Sequence, residues 1–225
     1  MVKRHLKTLT VPVIWPIKRK GKKFVLRPNP GKLFSQSIPL SLIFKDILKY
    51  CKTSNEVKTI LKDKEVLVDG KRRKDPKYLV GLMDVLSLPL LNESFRITLN
   101  KNNKIELVAI QPEEANQKIC KINGKTILKK GKVQLNLSDG RNILVKEDKY
   151  SIGDSILIKL PTQEILDEYK LEKGHYALLT EGTHVGYQGV IETISKGLIQ
   201  IKAKEGVFET PKQSVFVIGK SHKNA

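Results

Sequence analysis

The chain has 225 residues, 42 of them lysine or arginine and 23 aspartate or glutamate, which gives a formal net charge of +19. A charge this one-sided opposes a compact fold by self-repulsion, so it indicates a polyanionic partner, either nucleic acid or an anionic membrane. The longest uncharged run, residues 33–44, contains a proline and is much shorter than the roughly 20 apolar residues of a spanning helix, so no membrane partner is predicted.

The N-terminal segment is the most basic part of the chain. Asp46 is the first acidic residue, and eleven of the basic residues precede it. This segment has no sustained hydrophobic period, and four prolines interrupt its backbone. We therefore expect residues 1–37 to form an extended basic arm without a core of its own, disordered in the free protein and ordered by its partner.

Two short amphipathic helices are predicted next. Apolar residues recur at three- and four-residue intervals from Ile38, which indicates a first helix. Thr53 and Glu56 have the spacing of a capping box, which predicts the start of a second helix. The apolar faces of the two helices are formed by Leu40, Ile43, Phe44, Ile47 and Leu48 in the first, and Val57, Ile60 and Leu61 in the second.

A small sheet should follow the two helices. Val66-Leu67-Val68 leads into Asp69-Gly70, a pair suited to a tight hairpin because both residues can take positive φ. We expect the sheet to close near Leu88 and assign this unit to residues 38–94.

After residue 94 only β patterns remain. Turn signals at Asn102-Asn103, Asn123-Gly124 and Asp139-Gly140 separate short apolar strands, which predicts a central β-barrel-like domain over residues 95–170. Residues 161–169 are expected to be a linker with at most one helical turn. Alternating strands between Tyr176 and Ile218 predict a second small barrel within residues 171–225. The predicted fold class is α+β and multidomain.

The order of elements over residues 38–88 resembles the αL-motif RNA-binding domain. Ribosomal protein four, tyrosyl-tRNA synthetases and several pseudouridine synthases share that domain. The matching residues are Val66 to Gly70, Asp75-Pro76 and Gly81 to Val85. The resemblance implies two helices followed by a small sheet, with structured RNA as the ligand.

The C-terminal segment resembles the KOW motif of ribosomal and transcription-elongation proteins. Residues 177–182 and 185–191 carry the resemblance, which implies an SH3-like barrel with KOW turn residues Gly182, Gly186 and Gly189. Family members usually carry arginine or lysine around these glycines, whereas this loop contains Glu181, His184 and Tyr187. Its contact with RNA is therefore expected to be weak or non-ionic. Three roles are open for these side chains: His184 and Tyr187 stack on a base, they reach a phosphate, or Tyr187 packs in the barrel.

The combination of arm, αL-motif domain, central β domain and KOW barrel resembles the e-type small-subunit ribosomal protein four of archaea and eukaryotes. The N-terminal signature is visible in His5-Leu6-Lys7, Trp15-Pro16-Ile17, Arg27-Pro28 and Pro30-Gly31, and the C-terminal one in residues 216–220. The short end after Lys220, without a basic tail, favours an archaeal member. The resemblance implies a cytoplasmic ribosomal protein that contacts small-subunit ribosomal RNA and neighbouring ribosomal proteins.

RNA binding is expected to rest on phosphate contacts. On the second helix Asn55, Lys58 and Lys62 share a face, and Lys45 and Lys49 lie one turn apart on the first. In the cluster at 71–74 alternate residues point to opposite sides of a strand, so only two of the four can touch one surface. The candidate RNA-binding residues are Lys3, Arg4, His5, Lys7, Trp15, Lys18, Arg19, Lys20, Lys22, Lys23, Arg27, Lys32, Lys45, Lys49, Asn55, Lys58, Lys62, Lys71, Arg72, Arg73 and Lys74.

No catalytic site is predicted. None of the four histidines has a metal-ligand or acid/base partner at a recognisable spacing, and no phosphate-binding P-loop is present. Cys51 and Cys120 are far apart and give neither a disulfide framework nor a zinc site. We therefore expect no metal, no cofactor, no small-molecule substrate and no homo-oligomer. Two alternatives remain: an RNA-modifying enzyme that uses the αL-motif domain for delivery, and a transcription-elongation factor built around the KOW barrel.

Overall fold

The computed structural model describes residues 5–145, 147–195 and 197–220, and it divides the chain into two compact units. The first unit runs to Leu99 and includes Asn103–Asn116, and the second comprises Asn100–Asn102 and the chain from Gln117 onward. The sequence analysis had divided the chain into four segments. Its boundary after residue 94 falls inside the strand Glu93–Leu99, so the strands on both sides of it belong to one sheet.

The first unit combines two short helices with nine strands. A five-stranded antiparallel sheet has the order β5-β4-β7-β8-β9, while β3 pairs with β6 and β1 with β2. The elements are β1 (Leu6–Lys7), β2 (Phe24–Val25), β3 (Ser37–Pro39), α1 (Leu40–Leu42), α2 (Ser54–Asp63), β4 (Leu67–Val68), β5 (Lys71–Arg72), β6 (Leu79–Gly81), β7 (Val85–Leu88), β8 (Glu93–Leu99) and β9 (Ile105–Ala109). Helix α1 continues as a π-helical turn over Ile43–Ile47, and 3₁₀ turns cover Thr8–Thr10, Phe34–Gln36, Pro89–Leu91 and Glu114–Asn116.

The N-terminal arm packs into the core of the first unit, so the expectation that it lacks a core is wrong. The side chain of Trp15 is completely buried, and its indole N–H donates to the Ser37 carbonyl at 2.7 Å. Val11 and Ile14 are buried beside it, and the Ile14 carbonyl accepts from the Ile105 N–H at 2.9 Å. Tryptophan brings so much apolar surface that burying it offsets the ordering of an irregular, proline-rich segment. The arm is thus ordered by the protein itself.

The predicted capping box at the start of α2 is present. The Glu56 N–H donates to Thr53 Oγ1 at 3.2 Å, and Glu56 Oε2 accepts from the Thr53 N–H. Val57 and Leu61 are buried, so α2 begins where the local sequence predicts and turns its apolar stripe inward. The Glu56 carboxylate accepts hydrogen bonds from the Lys52 N–H, the Thr53 side chain and the Thr53 N–H, and these bonds lower its pKa.

The Asp69-Gly70 hairpin is also present. Both residues have positive φ, 53° and 71°, and they join β4 to β5. Asp69 is buried because its side chain has a second role: Oδ1 accepts from the Val85 N–H at 3.0 Å and thereby attaches the turn to β7.

The second unit contains two five-stranded antiparallel sheets. One has the order β12-β11-β10-β13-β14 and the other β18-β17-β16-β15-β19. The strands are β10 (Gln117–Ile127), β11 (Val133–Leu137), β12 (Asn142–Val145), β13 (Ser155–Lys159), β14 (Ile165–Tyr169), β15 (Tyr176–Leu179), β16 (Gln188–Ile194), β17 (Leu198–Ala203), β18 (Gly206–Pro211) and β19 (Val215–Gly219). Two 3₁₀ turns cover Lys129–Gly131 and Lys212–Ser214.

Two predictions for the first of these sheets are wrong. Asn123-Gly124 is not a hairpin turn: it lies inside β10, where the register with β11 shifts between Ile122 and Gly124. A glycine in a strand is compatible with a bulge as well as a turn, and here the bulge prevails. The expected linker at 161–169 contains strand β14, which pairs with β13 over four positions.

A buried ion pair stabilises the first sheet of the second unit. Lys118 on β10 is almost completely buried, and its Nζ lies 2.9 Å from Asp139 Oδ2. Arg141 Nε lies 3.1 Å from the same oxygen, and the Arg141 N–H donates to Oδ1. Burial raises the pKa of Asp139, but the Lys118 charge and the hydrogen bonds from Lys118 and Arg141 outweigh it and hold the pKa below its usual value.

A second buried lysine connects the two sheets of this unit. Lys121 Nζ donates to the carbonyl oxygens of Gln213 and Val215, at 2.5 and 2.7 Å, next to the start of β19. Burial lowers the pKa of Lys121, the Glu181 carboxylate partly opposes this and the nearby Lys212 charge adds to it, so the pKa is about 8. The ammonium group is therefore held by two backbone carbonyl oxygens.

Lys121 should titrate near pH 8 instead of near the ordinary pKa of a lysine, 10.5. Between these two pH values Lys121 is protonated in the unfolded chain and neutral in the folded one. The free energy of unfolding of the wild type relative to Lys121→Met should therefore rise between pH 8 and 10.5, by up to about 3 kcal/mol. Side-chain carbon NMR of the lysines measures the midpoint, and urea unfolding of both proteins measures the stability difference. A midpoint at or above 10, or a stability difference independent of pH, would contradict the prediction.

Candidate nucleic-acid interface

Most of the candidate cations of the arm are exposed. Lys7 lies on β1 and His5 just before it, and the others lie in the segment between β1 and β2 or just beyond β2. The exposed candidates are His5, Lys7, Lys18, Lys20, Lys22, Lys23 and Arg27. Lys3 and Arg4 lie outside the described residues. The arm thus combines an apolar inner side around Trp15 with a basic outer side.

Three arm residues have roles within the protein. Trp15 is completely buried and cannot stack on RNA in this fold. Arg19 is half-buried, and its Nη2 donates to the carbonyl of Pro12 at 3.0 Å and to that of Val11 at 3.3 Å. Lys32 forms an ion pair with the fully buried carboxylate of Asp84. We therefore correct their assignment as RNA-binding residues, because each side chain is used to hold the arm in place.

Helix α2 presents the predicted polar face. Asn55, Lys58 and Lys62 are all exposed, on the side opposite the buried Val57 and Leu61. Their spacing of three and four residues places them in one row along the helix. The structure therefore gives this row access to solvent over the whole length of α2.

The two lysines of the first helix do not lie one turn apart on one helix as predicted. Lys45 is half-buried, with its Nζ 3.4 Å from Ser54 Oγ at the start of α2. Lys49 lies beyond the π-helical turn, which ends at Ile47, and has a positive φ of 59°. The sequence pattern could not indicate that the helix would end before Lys49. Lys49 is nevertheless exposed.

In the basic cluster at 71–74 the two lysines face solvent, whereas the two arginines contact other groups of the protein. Lys71 and Lys74 are exposed. Arg72 donates from Nη2 to the Lys62 carbonyl at 3.0 Å, so it caps the C-terminal end of α2, where a positive charge is favourable. The Arg73 guanidinium lies 4.3 Å from the centre of the Tyr78 ring, a cation–π contact. Arg72 and Arg73 thus both have partners within the protein.

The glycines of the KOW segment have different roles. Gly182 and Gly186 have positive φ, 94° and 84°, as turn residues require. Gly189 is not a turn residue: it lies in β16, where a Cβ would come 2.3 Å from the Lys202 carbonyl of β17. Only glycine allows the two strands to approach this closely.

The aromatic side chains of the KOW segment pack on each other. His184 stacks on Phe208 with ring centroids 4.1 Å apart, and Tyr187 meets the same ring edge-on at 5.1 Å. The face of His184 against Phe208 is therefore occupied within the protein. This arrangement favours the packing role for Tyr187 over base stacking.

Several exposed lysines adjoin the candidate set, although the sequence analysis did not select them. Lys52 precedes the cap of α2, Lys64 follows its last turn, and Lys77 lies in the segment before β6. For Lys52 and Lys64 the signal that could have found them is proximity to the helix ends, because these two lysines flank α2.

The site contains groups that bind anions and none that would hold a metal. Within residues 5–145, 147–195 and 197–220, no three His, Cys, Asp or Glu side chains come together as a metal site. The same residues contain no helix long and apolar enough to cross a bilayer. Glu114 lies 3.7 Å from Arg96 in an ordinary ion pair.

Comparisons with known proteins identify relatives over almost the whole chain. Family models described as Ribosomal family S4e, the RS4NT (NUC023) domain and the S4 domain match residues 91–165, 2–31 and 46–86. The chain is 44% identical to small ribosomal subunit protein eS4 of Methanocaldococcus jannaschii, covering 96% of this chain and 94% of that one. It is 39% identical to the eS4 protein of Methanocella arvoryzae, over 98% and 96% of the two chains.

A solved structure has the same fold. The crystal structure of the 30S ribosomal protein S4e from Thermoplasma acidophilum aligns with a TM-score of 0.72 and 32% identity. The alignment covers 84% of this chain and 98% of the Thermoplasma acidophilum chain. The S4-domain match at 46–86 contains α2 and the β4–β5 hairpin, so the row on α2 and the cluster at 71–74 lie in the part of the chain that resembles an RNA-binding domain.

Proposed function

Because the chain belongs to the S4e family of ribosomal proteins, we propose that it is a structural constituent of the small ribosomal subunit, without catalytic activity. In this role it binds ribosomal RNA and supports subunit assembly and translation in the cytoplasm. The observation that carries the proposal is the set of exposed cations of the first unit, on the outer side of the arm, on α2 and at the β4–β5 hairpin.

The proposed mechanism is electrostatic. Each exposed lysine that neutralises a phosphate releases a condensed counterion, so affinity falls as salt rises, with a log–log slope of roughly −0.7 to −0.9 per phosphate. Phosphate contacts of this kind position a protein on folded RNA. The folded first unit fixes the cations relative to one another, because Arg19, Lys32 and Arg72 are bonded inside it.

A paired substitution tests the α2 face. In Lys58→Ala/Lys62→Ala, the salt slope for binding a small-subunit ribosomal RNA transcript should become less steep by roughly 1.4–1.8, because two phosphate contacts are lost. The control is Lys132→Ala/Lys204→Ala, which removes two exposed lysines of the second unit. Filter binding over a series of salt concentrations measures both slopes. Equal slopes for the two variants would contradict the proposed role of the α2 face.

The two alternative functions make a different prediction for sedimentation. A protein embedded in the subunit should stay with the small subunit in roughly equal amount through a sucrose cushion at high salt, whereas an RNA-modifying enzyme or an elongation factor should wash into the supernatant. We expect co-sedimentation. We also propose neighbouring small-subunit proteins as partners and a single copy per particle, which quantification against another small-subunit protein in the pellet would test.

A further inference from the structure

The hairpin formed by β1 and β2 holds one aromatic ring in a fixed position on the basic side of the arm. Lys7 pairs with Phe24 across the two strands. The Thr8 N–H donates to the Lys23 carbonyl at 3.0 Å, and the buried Thr8 hydroxyl donates to the Lys22 carbonyl at 2.6 Å. These bonds fix the backbone before Phe24, and the pairing of Leu6 with Val25 fixes the backbone after it.

Phe24 does not belong to the core. Its side chain is 51% exposed, while its strand neighbour Val25 and the opposite Leu6 are partly buried on the other face of the hairpin. The ring of His5 lies 5.5 Å from the Phe24 ring at an angle of 48°, and Lys23 Nζ lies 5.6 Å from the ring centre. A large apolar ring is thus left in water, with an imidazole on one side and an ammonium group nearby.

All the charged residues near this ring in sequence are basic. No acidic residue occurs before Asp46, and Lys7, Lys22 and Lys23 are exposed next to Phe24. Lysines contact phosphates, whereas a phenyl ring offers nothing to a phosphate. Its flat face matches a nucleobase, and a base is available for stacking only where the RNA strand is unpaired.

We propose that Phe24, with His5 at its side, is a stacking platform for one unpaired RNA base, and that Lys7, Lys22 and Lys23 hold the phosphates next to that base. This inference rests on the proposed function and makes it more specific: the ligand of the hairpin is a single-stranded or bulged segment and not a regular duplex. A duplex would present its phosphates to the lysines but would leave the phenyl ring unused.

The size and the kind of the effect follow from stacking. Loss of one base stacked on an aromatic side chain weakens binding by roughly 5- to 150-fold. Stacking releases no counterions, so the salt slope should not change. This combination separates Phe24 from the lysines, whose loss reduces affinity and slope together.

The test uses the full-length protein and two RNA probes of equal length, a single-stranded oligoadenylate containing one aminopurine and a blunt duplex. Phe24→Leu keeps an apolar side chain but removes the ring. It should weaken oligoadenylate binding within the stated range at an unchanged salt slope, reduce the quenching of aminopurine fluorescence, and leave duplex binding within about twofold. Phe24→Trp keeps a ring and should bind oligoadenylate at least as tightly as the wild type.

Leu9→Ala is the matched control, because Leu9 is another exposed apolar residue of the arm and has no ring. It should leave both affinities unchanged. If Phe24→Leu weakens neither probe, or both probes equally, while the wild type still binds RNA with a steep salt dependence, the platform is wrong and the proposed function stands. If the wild type binds neither probe nor a ribosomal RNA transcript, both are wrong. Circular dichroism of each variant shows whether the fold is retained.

Discussion

Trp15→Ala should reduce the free energy of unfolding of the first unit by about 3–5 kcal/mol, the range for removing a large aromatic side chain from a core. The indole is completely buried and donates a hydrogen bond to the Ser37 carbonyl, so the substitution removes apolar contacts and leaves a buried acceptor without that donor. Urea unfolding followed by circular dichroism measures the loss. A change within about 0.5 kcal/mol would mean that the arm is not part of the folded unit.

Two further measurements separate the contributions of Trp15. Trp15→Phe keeps a ring but loses the hydrogen bond, and it should have a smaller effect, about 1–3 kcal/mol. Trp15 is also the single tryptophan of the chain, so its emission in the wild type reports the arm directly. We expect blue-shifted emission that is shielded from acrylamide. Emission typical of an indole in water would contradict the packed arm even if the substitutions destabilise the protein.

Lys118→Met should destabilise the second unit by about 3–5 kcal/mol, because it leaves the buried Asp139 carboxylate with only part of its positive surroundings. Lys118 and Asp139 are both almost completely buried, and their charged atoms lie 2.9 Å apart. Thermal unfolding and urea unfolding measure the effect. The comparison variant is Lys118→Met/Asp139→Leu, which removes both charges and should recover most of the lost stability.

The same pair gives the wild type a stability that depends on acid pH. Because the folded-state pKa of Asp139 lies below its unfolded value, the contribution of the carboxylate is complete at neutral pH and is lost as the pH falls through the ordinary aspartate range toward the folded pKa. The double variant lacks this carboxylate and should lose less stability over that range. Two outcomes would contradict the role of the pair. The free energy of unfolding of the wild type and the double variant would fall in parallel with pH, or that of Lys118→Met would lie within about 1 kcal/mol of the wild type.

Local chemistry explains which parts of the fold could be predicted. The capping box at Thr53 and Glu56 and the Asp69-Gly70 turn depend on neighbouring residues only, and both occur where the sequence places them. Asn123-Gly124 has the composition of a turn, but a bulge uses the same backbone freedom, and pairing with β11 decides between them. That pairing partner lies elsewhere in the chain, so local pattern could not distinguish the two outcomes.

The candidate site was predictable where the side chains are exposed. Lys58 and Lys62 follow from the helical period, and both are exposed. Lys32 and Arg72 are cationic too, but Lys32 pairs with the Asp84 carboxylate and the exposed Arg72 donates to the carbonyls at the end of α2, which only tertiary structure reveals. Trp15 was misassigned for a similar reason: an aromatic residue in a basic arm suits both stacking on a base and anchoring the arm.

Because the arm is anchored, it loses its conformational entropy when the protein folds and not when RNA binds. A flexible tail loses its backbone freedom when it binds, at roughly 1–2 kcal/mol per residue, and this loss is subtracted from the affinity. Here Trp15, Arg19 and Lys32 fix the segment during folding, so the basic side is preorganised before RNA arrives. The arm as an isolated peptide would have to lose that freedom on binding, and it would be the weaker ligand of the same RNA despite carrying the same lysines.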